Sequence, residues 1–344
     1  MKKSLIIFII LFIIASVIFL CLVTRVKAPI NNESSAVSVE QNAQNPSVEK
    51  STSFVIAGDM MFDRFVNHQF KDIGFDHIFD NLDKSIFKEK DIVFANLEGP
   101  VSDKPIPDDY EPRTLVFDMP TATIPTLKNL GINGVSLANN HTLNAGTEGF
   151  NITQNLLKNT NIKYAGYQNA FDEGSILRYE TEIPISFITV NYLAYNDNQS
   201  ISEAIRIEKE NGRFVIVFPH WGEEYSSTHS ARQESAATKW IDAGADLIIG
   251  SHPHVIQDVG LYKNKLIIYS LGNFVFDQGF SEETQEGLMI SGKITDKTVE
   301  VTFLPFKSKQ LQPEFMQQAE KDAVLLTILS GTDNIGGTVT LDRN

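Results

Sequence analysis

The sequence predicts an α/β fold organised on a mainly parallel central sheet, and three observations carry that expectation. Short, unbroken apolar runs recur along the chain, as in strands buried on both faces. Stretches with helical spacing lie between several of them, as the crossovers of a parallel sheet require. Run after run then stops at a polar residue able to hold a ligand, and open α/β sheets bind ligands just beyond the carboxyl ends of their strands.

The N-terminus precedes this pattern. Lys2-Lys3 lead into an almost unbroken apolar stretch from Leu5 to Val23, closed by Arg25 and Lys27. About 20 apolar residues span a bilayer as a helix, whereas the core of a cleaved signal is roughly 7–15. No clear small-x-small cleavage site follows, so residues 1–27 are expected to form an uncleaved transmembrane helix, with a cleaved signal peptide as the alternative. The slight excess of positive charge ahead of it favours an N-terminus inside and the bulk of the chain outside the cytoplasm. Residues 28–52, rich in Asn, Gln, Ser, Glu and Val without period, read as a flexible linker.

From Ser53 the texture changes. Phe54-Val55-Ile56-Ala57 ends in Gly58-Asp59, Ile92-Val93-Phe94-Ala95 in Asn96-Leu97-Glu98, and Val135-Ser136-Leu137-Ala138 in Asn139-Asn140-His141. Phe214 to Phe218 ends in Pro219-His220, Leu247-Ile248-Ile249 in Gly250-Ser251-His252-Pro253-His254, and Leu266 to Ser270 in Leu271-Gly272-Asn273. Helical spacing runs from Thr123 to Leu130, stopped by Gly131, from Gly149 to Leu157, and from Ala231 to Ala243, stopped by Gly244. Leu288 to Ile294 and Val299 to Leu304 alternate like antiparallel strands completing the sheet system. The main domain is expected over 53–310, followed by a C-terminal extension, 311–344, with a helical run from Ala323 to Leu329.

Composition narrows the chemistry. A net charge of −14 argues against nucleic acid as the main partner. The one cysteine, Cys21, lies in the apolar N-terminal stretch, so any metal in the folded part is held by nitrogen and oxygen. Gathered on one rim, Asp59, Glu98, Asn140, His220, His252 and His254 are candidate ligands for Mn, Fe or Zn, as one ion or two close together. His141, beside Asn140, is placed to donate a proton to a leaving group. Asn96, Glu224 and Asn273 are expected to face substrate, although Asn273 also suits a structural role. Ordinary roles compete at each position: Asp59 as a helix cap, Asn96 and Glu98 as turn residues, His220 as a core histidine. His68, His77 and His229 lie off the strand ends and read as surface residues.

The segments Gly58-Asp59-Met60-Met61, Asn96-Leu97-Glu98, Ala138-Asn139-Asn140-His141, His220-Trp221-Gly222-Glu223-Glu224-Tyr225, Gly250 to Val255 and Tyr269 to Asp277 together resemble the bacterial capsule-synthesis CapA family, associated with poly-γ-glutamate production. The resemblance covers roughly Ser53 to Phe306. It implies kinship with the calcineurin-like metallophosphoesterases, and hence an α/β/β/α sandwich with a metal site. It also implies an anionic capsular polymer or its precursor as partner, with other capsule-synthesis membrane proteins nearby. Two positions depart from the phosphoesterase pattern: Met61 stands where Asp-x-His would have its histidine, and Glu98 where an aspartate is usual. Within the CapA pattern, Asn144 replaces an aspartate. The resemblance therefore implies either a metal-dependent hydrolase or a non-catalytic subunit that keeps the fold to bind metal or polymer.

Overall fold

A computed structural model describes residues 49–103, 115–330 and 337–343. The expected membrane anchor and most of the linker lie outside the described residues, among which no helix is long and apolar enough to cross a membrane.

Among the described residues the first elements are β1 (Ser51–Met60), the short α1 (Arg64–Phe70) and β2 (Ile92–Leu97). The chain continues through α2 (Thr123–Leu130), β3 (Gly134–Ser136), α3 (Gly146–Asn159), β4 (Lys163–Ala165), β5 (Ile176–Tyr179) and β6 (Ile185–Asn191). Then come α4 (Asn198–Glu210), β7 (Phe214–His220), α5 (Ala231–Ala243), β8 (Leu247–Ile249), β9 (Val259–Tyr262), β10 (Lys265–Ile268) and β11 (Asn273–Val275). Finally β12 (Glu286–Thr295), β13 (Thr298–Lys309), β14 (Gln312–Phe315), α6 (Gln318–Ile328) and β15 (Thr338–Asp342) complete it.

The strand runs alone suggest one central sheet; the structure has two, in the α/β/β/α layering that the resemblance implies. One has the order β14-β13-β12-β1-β2-β3-β4, with β11 added to β1 and β15 to β13; the other runs β5-β6-β7-β8-β10-β9. The first is parallel from β1 to its β4 edge and antiparallel beyond β1 on the other side; the second is parallel through β6, β7, β8 and β10 with antiparallel strands at both edges. The sequence could not separate them, because a strand covered on both faces looks alike in either sheet.

Alternation along β1 explains the layers. Phe54 and Ile56 face inward and meet Phe187, Phe214 and Ile249 of the second sheet, while Val55 and Ala57 face outward beneath α1, α2 and α3. Phe94 of β2 stacks on Phe187 with ring centroids 4.3 Å apart, pinning sheet to sheet. On the far face, Val215, Val217 and Ile248 pack under Ile201 and Ile205 of α4 and Ala237, Trp240 and Ile241 of α5. The resulting order is helix, sheet, sheet, helix. α2 and α5 both stop at glycines in the left-handed conformation, Gly131 (φ 97°) and Gly244 (φ 116°), as their sequence predicts.

Candidate metal centre

The site lies where β1, β2, β7 and β8 end, at the seam of the two sheets. Asp59 is the last polar residue of β1, flanked in register by Asn96 of β2 and Asn273 of β11. That triple contact needs close backbones: a Cβ on Gly58 would fall 1.9 Å from the carbonyl oxygen of Gly272. Asp59 therefore belongs to a strand, and its competing role as a helix cap is excluded. His220 ends β7 and bridges to Ser251 just beyond β8.

His252 and His254 occupy a tight turn in which both backbones have positive φ, 100° and 59°. Such a conformation costs a non-glycine residue roughly 1–3 kcal/mol and persists only when its surroundings enforce it. The enforcing contacts are present. The His252 N–H donates to Asp59 Oδ2 at 3.1 Å, Tyr225 N–H to the Pro253 carbonyl at 2.8 Å, and Asn273 Nδ2 to the His254 carbonyl at 3.2 Å.

Ligand-type atoms of Asp59, Glu98 and His254 lie within 4.8 Å of one another, and so do those of Glu224, His252 and His254. His254 is thus common to both groups. All of these residues except Glu224 are buried. His220 and Asn140 adjoin them: His220 Nε2 is 2.8 Å from Asn140 Oδ1, and the His220 and His252 rings are 4.7 Å apart. His141 Nε2 lies 3.9 Å from Glu98 Oε1. The six expected ligands and His141 therefore converge, and Glu224 stands among them.

Asn96 and Asn273 do something other than face substrate. Asn96 is fully buried; its Nδ2 donates to Asp59 Oδ1 at 2.8 Å and Glu98 Oε2 at 3.2 Å, and its Oδ1 accepts from Asn139. It spaces two carboxylates that would otherwise repel. Asn273 accepts at Oδ1 from His254 Nδ1 at 2.9 Å and spends its N–H groups on the His254 and Thr284 carbonyls and Gln278 Oε1. Both are positioning residues, with no polar atom left for a substrate. His229, expected at the surface, is half-buried, bonded to Asp258 at 2.7 Å and stacked 3.8 Å from Tyr269.

Electrostatics follow from burial. Removal from water drives the Glu98 carboxyl well above its usual range, and Asp59 adds to this against the opposing pull of His254. Burial also acts to lower His254, but Glu98, Asp59 and Glu224 outweigh it and lift the imidazole to about 9. His252 falls to about 4 through burial and the charge of His254, and His220 is lowered well below its ordinary value for the same reasons.

Whether these residues fit a divalent ion is answered by two atoms. Glu98 Oε1 and His252 Nδ1 are buried without any hydrogen-bond partner. An orphaned carboxylate oxygen and an orphaned imidazole nitrogen in one nitrogen–oxygen pocket fit an ion, since buried polar atoms otherwise find partners.

Sequence reading missed the supporting cast. Arg64 pairs with Asp277 and lies 5.0 Å over the ring of Phe117, which itself stacks on His141 at 4.1 Å. Asn139 holds the Leu97 carbonyl, and Trp221 Nε1 donates to the Tyr269 carbonyl at 2.8 Å. Apart from Phe117, which lies between motifs, these residues sit inside or beside them, but only the folded chain reveals which way they point.

The fold and site together define a layered α/β protein with a buried cluster of nitrogen and oxygen donors spaced to accept a metal ion. Residues 53–278 match the family of bacterial capsule synthesis proteins PGA_cap, and this chain belongs to that family. It is 30% identical over 326 residues to the capsule biosynthesis protein CapA of Bacillus anthracis, covering 88% of this chain and 77% of that protein. It is also 30% identical to the PGA biosynthesis protein CapA of Bacillus subtilis, covering 70% of this chain and 66% of that protein. A solved structure from Staphylococcus aureus, provisionally assigned as a 5'-nucleotidase, aligns at 11% identity with a TM-score of 0.43, over 78% of this chain and 53% of that one. That likeness is too distant to carry an argument.

Proposed function

We propose that the chain is a membrane-anchored, extracytoplasmic protein of capsule or poly-γ-glutamate biosynthesis whose strand-end centre hydrolyses a phosphoester or amide bond. The observation that carries this reading is the convergence of Asp59, Glu98, His252 and His254, two of them with buried, unpartnered ligand atoms. Asp59, Glu98, Asn140, His220, His252 and His254 would hold one or two ions of Mn, Fe or Zn. A bound ion of this class polarises the scissile group and lowers the pKa of a water.

The remaining chemistry belongs to the chain. His141 Nδ1 donates to Asn144 Oδ1 at 2.9 Å, so Nε2 is the nitrogen turned towards Glu98. Burial lowers the His141 pKa despite that bond, so at neutral pH Nε2 carries a lone pair. His141 therefore takes up a proton at Nε2 before it can pass one to a leaving group. Phe117, stacked on the imidazole, excludes water from one ring face. An anionic polymer or precursor, reached by a domain tethered outside the membrane, is the substrate class this reading implies.

A specific observation favours the non-catalytic alternative. Met61 is buried with Phe117 and Phe276 and offers no nitrogen, so the centre departs from the phosphoesterase pattern. Elemental analysis of the full chain beside the His252→Ala/His254→Ala double variant tests the metal. The expected result is one to two equivalents of Mn, Fe or Zn, lost in the variant. Ester or amide cleavage abolished by His141→Ala, with metal retained, then supports the hydrolase. Cleavage by rigorously metal-free protein would sink that reading, and metal binding without any cleavage would leave the subunit role.

A further inference from the structure

This inference rests on the metal reading above. His254 is shared by the two ligand groups, yet it has one nitrogen to offer. Asn273 turns its N–H groups to the His254 and Thr284 carbonyls and to Gln278, so its Oδ1 must accept from His254 Nδ1–H. Only Nε2 remains for an ion, and it lies 3.6 Å from Glu98 Oε1. A single neutral imidazole nitrogen binds a single ion. The two groups therefore converge on one ion at His254.

Met61 offers no nitrogen or carboxylate oxygen to this site. The Met61 side chain is fully buried in an apolar cluster with Phe117 and Phe276, and its Sδ accepts from the Asp63 N–H at 3.0 Å. The exposed Glu224 has a carboxylate oxygen within 4.8 Å of ligand atoms of His252 and His254. We propose that Glu224 is a ligand of the ion held by His254, supplied from an exposed loop.

Two further observations support this. The first is that the loop carrying Glu224 is not adrift. Tyr225, at a positive φ of 63°, donates its N–H to the Pro253 carbonyl inside the histidine turn. Its phenol oxygen accepts from Gln278 Nε2 at 3.2 Å, and Gln278 Oε1 accepts from Asn273 Nδ2 at 3.0 Å. The support that aims His254 therefore continues into the loop that presents Glu224. The second is His252 Nδ1, which is buried without a partner in the same group. A carboxylate added to imidazoles suits the borderline-to-hard ions expected here.

The test compares wild-type chain, Glu224→Gln and Glu223→Gln by calorimetric titration with Mn²⁺, alongside the metal-induced rise in Tm. Glu223 is the exposed neighbour and controls for charge alone. Loss of a ligand predicts at least about tenfold weaker Mn²⁺ binding and a smaller Tm rise for Glu224→Gln, with the metal-free Tm unchanged. Glu223→Gln should match wild type. Equal affinities for wild type and Glu224→Gln, or equal weakening in both variants, overturns the assignment while the metal reading stands. No binding by the wild-type chain overturns both.

Discussion

Asn144 Oδ1 accepts two hydrogen bonds, from His141 Nδ1 and from the Phe117 N–H, each at 2.9 Å. Because a backbone N–H can only donate, the amide oxygen is fixed in place and the His141 tautomer follows. A neutral amide orients the imidazole without stabilising its cation. Asn144→Asp keeps both acceptor bonds and adds a negative charge, which favours the imidazolium. The His141 pKa should rise in the variant and lie below 6.5 in wild type. NMR titration of the metal-free protein reads this directly, and an unchanged or lowered value in Asn144→Asp would refute it.

Asn273 aims His254 without touching an ion. Asn273→Ala should weaken metal binding by about 10- to 100-fold, the usual penalty for losing a residue that orients a ligand. It also strands the buried His254 and Thr284 carbonyls, at roughly 1–3 kcal/mol each. Both losses are measurable, by Mn²⁺ titration and by denaturant unfolding. Wild-type affinity in the variant would remove Asn273 from the site.

Glu208 gives the fold a defined acid sensitivity. Burial works to raise its pKa, but the Arg178 guanidinium, bonded through Nε at 2.9 Å, and Ser186 outweigh it and hold the carboxyl below its usual 4.5. A depressed folded-state pKa contributes stability above the unfolded value and loses it as pH falls through the folded one. Glu208→Gln should therefore lower Tm at pH 7, with the gap to wild type closing progressively below about pH 4. A gap that widens on acidification would show the pairing to be misread.

Phe94 joins the two sheets and touches nothing that ligates. Phe94→Ala removes a fully buried ring stacked on Phe187 and edge-on to Phe218, and should cost about 3–5 kcal/mol. Metal stoichiometry of the folded fraction should be unchanged. Urea unfolding and elemental analysis of the same sample check both halves of that statement.

What the sequence shows and hides follows from side-chain direction. β1, β2 and β8 are legible because both their faces are apolar, so the run is continuous and its polar end stands out. β6 is not, because Ser186 and Thr189 interrupt it. These two are buried only because Ser186 bonds Glu208 and Thr189 the Ser175 carbonyl, partners no local pattern announces. The convergence of Asp59, Glu98, His220, His252 and His254 follows from strand ends sharing a rim. The inward turn of Asn96 and Asn273 does not, since residue type alone cannot say whether an amide faces a ligand or a neighbouring carboxylate.

The contact between the His252 N–H and Asp59 Oδ2 joins residues 193 positions apart, and Asn273, 214 positions after Asp59 (273 − 59), pairs beside it. Loops of that span close late, after the local helices and hairpins have formed. During synthesis the pocket cannot exist until the ribosome has released the chain beyond β11. An ion taken up at His254 would therefore serve as a receipt for a finished fold: a chain stopped short, or one whose two sheets dock out of register, would have nowhere to keep it.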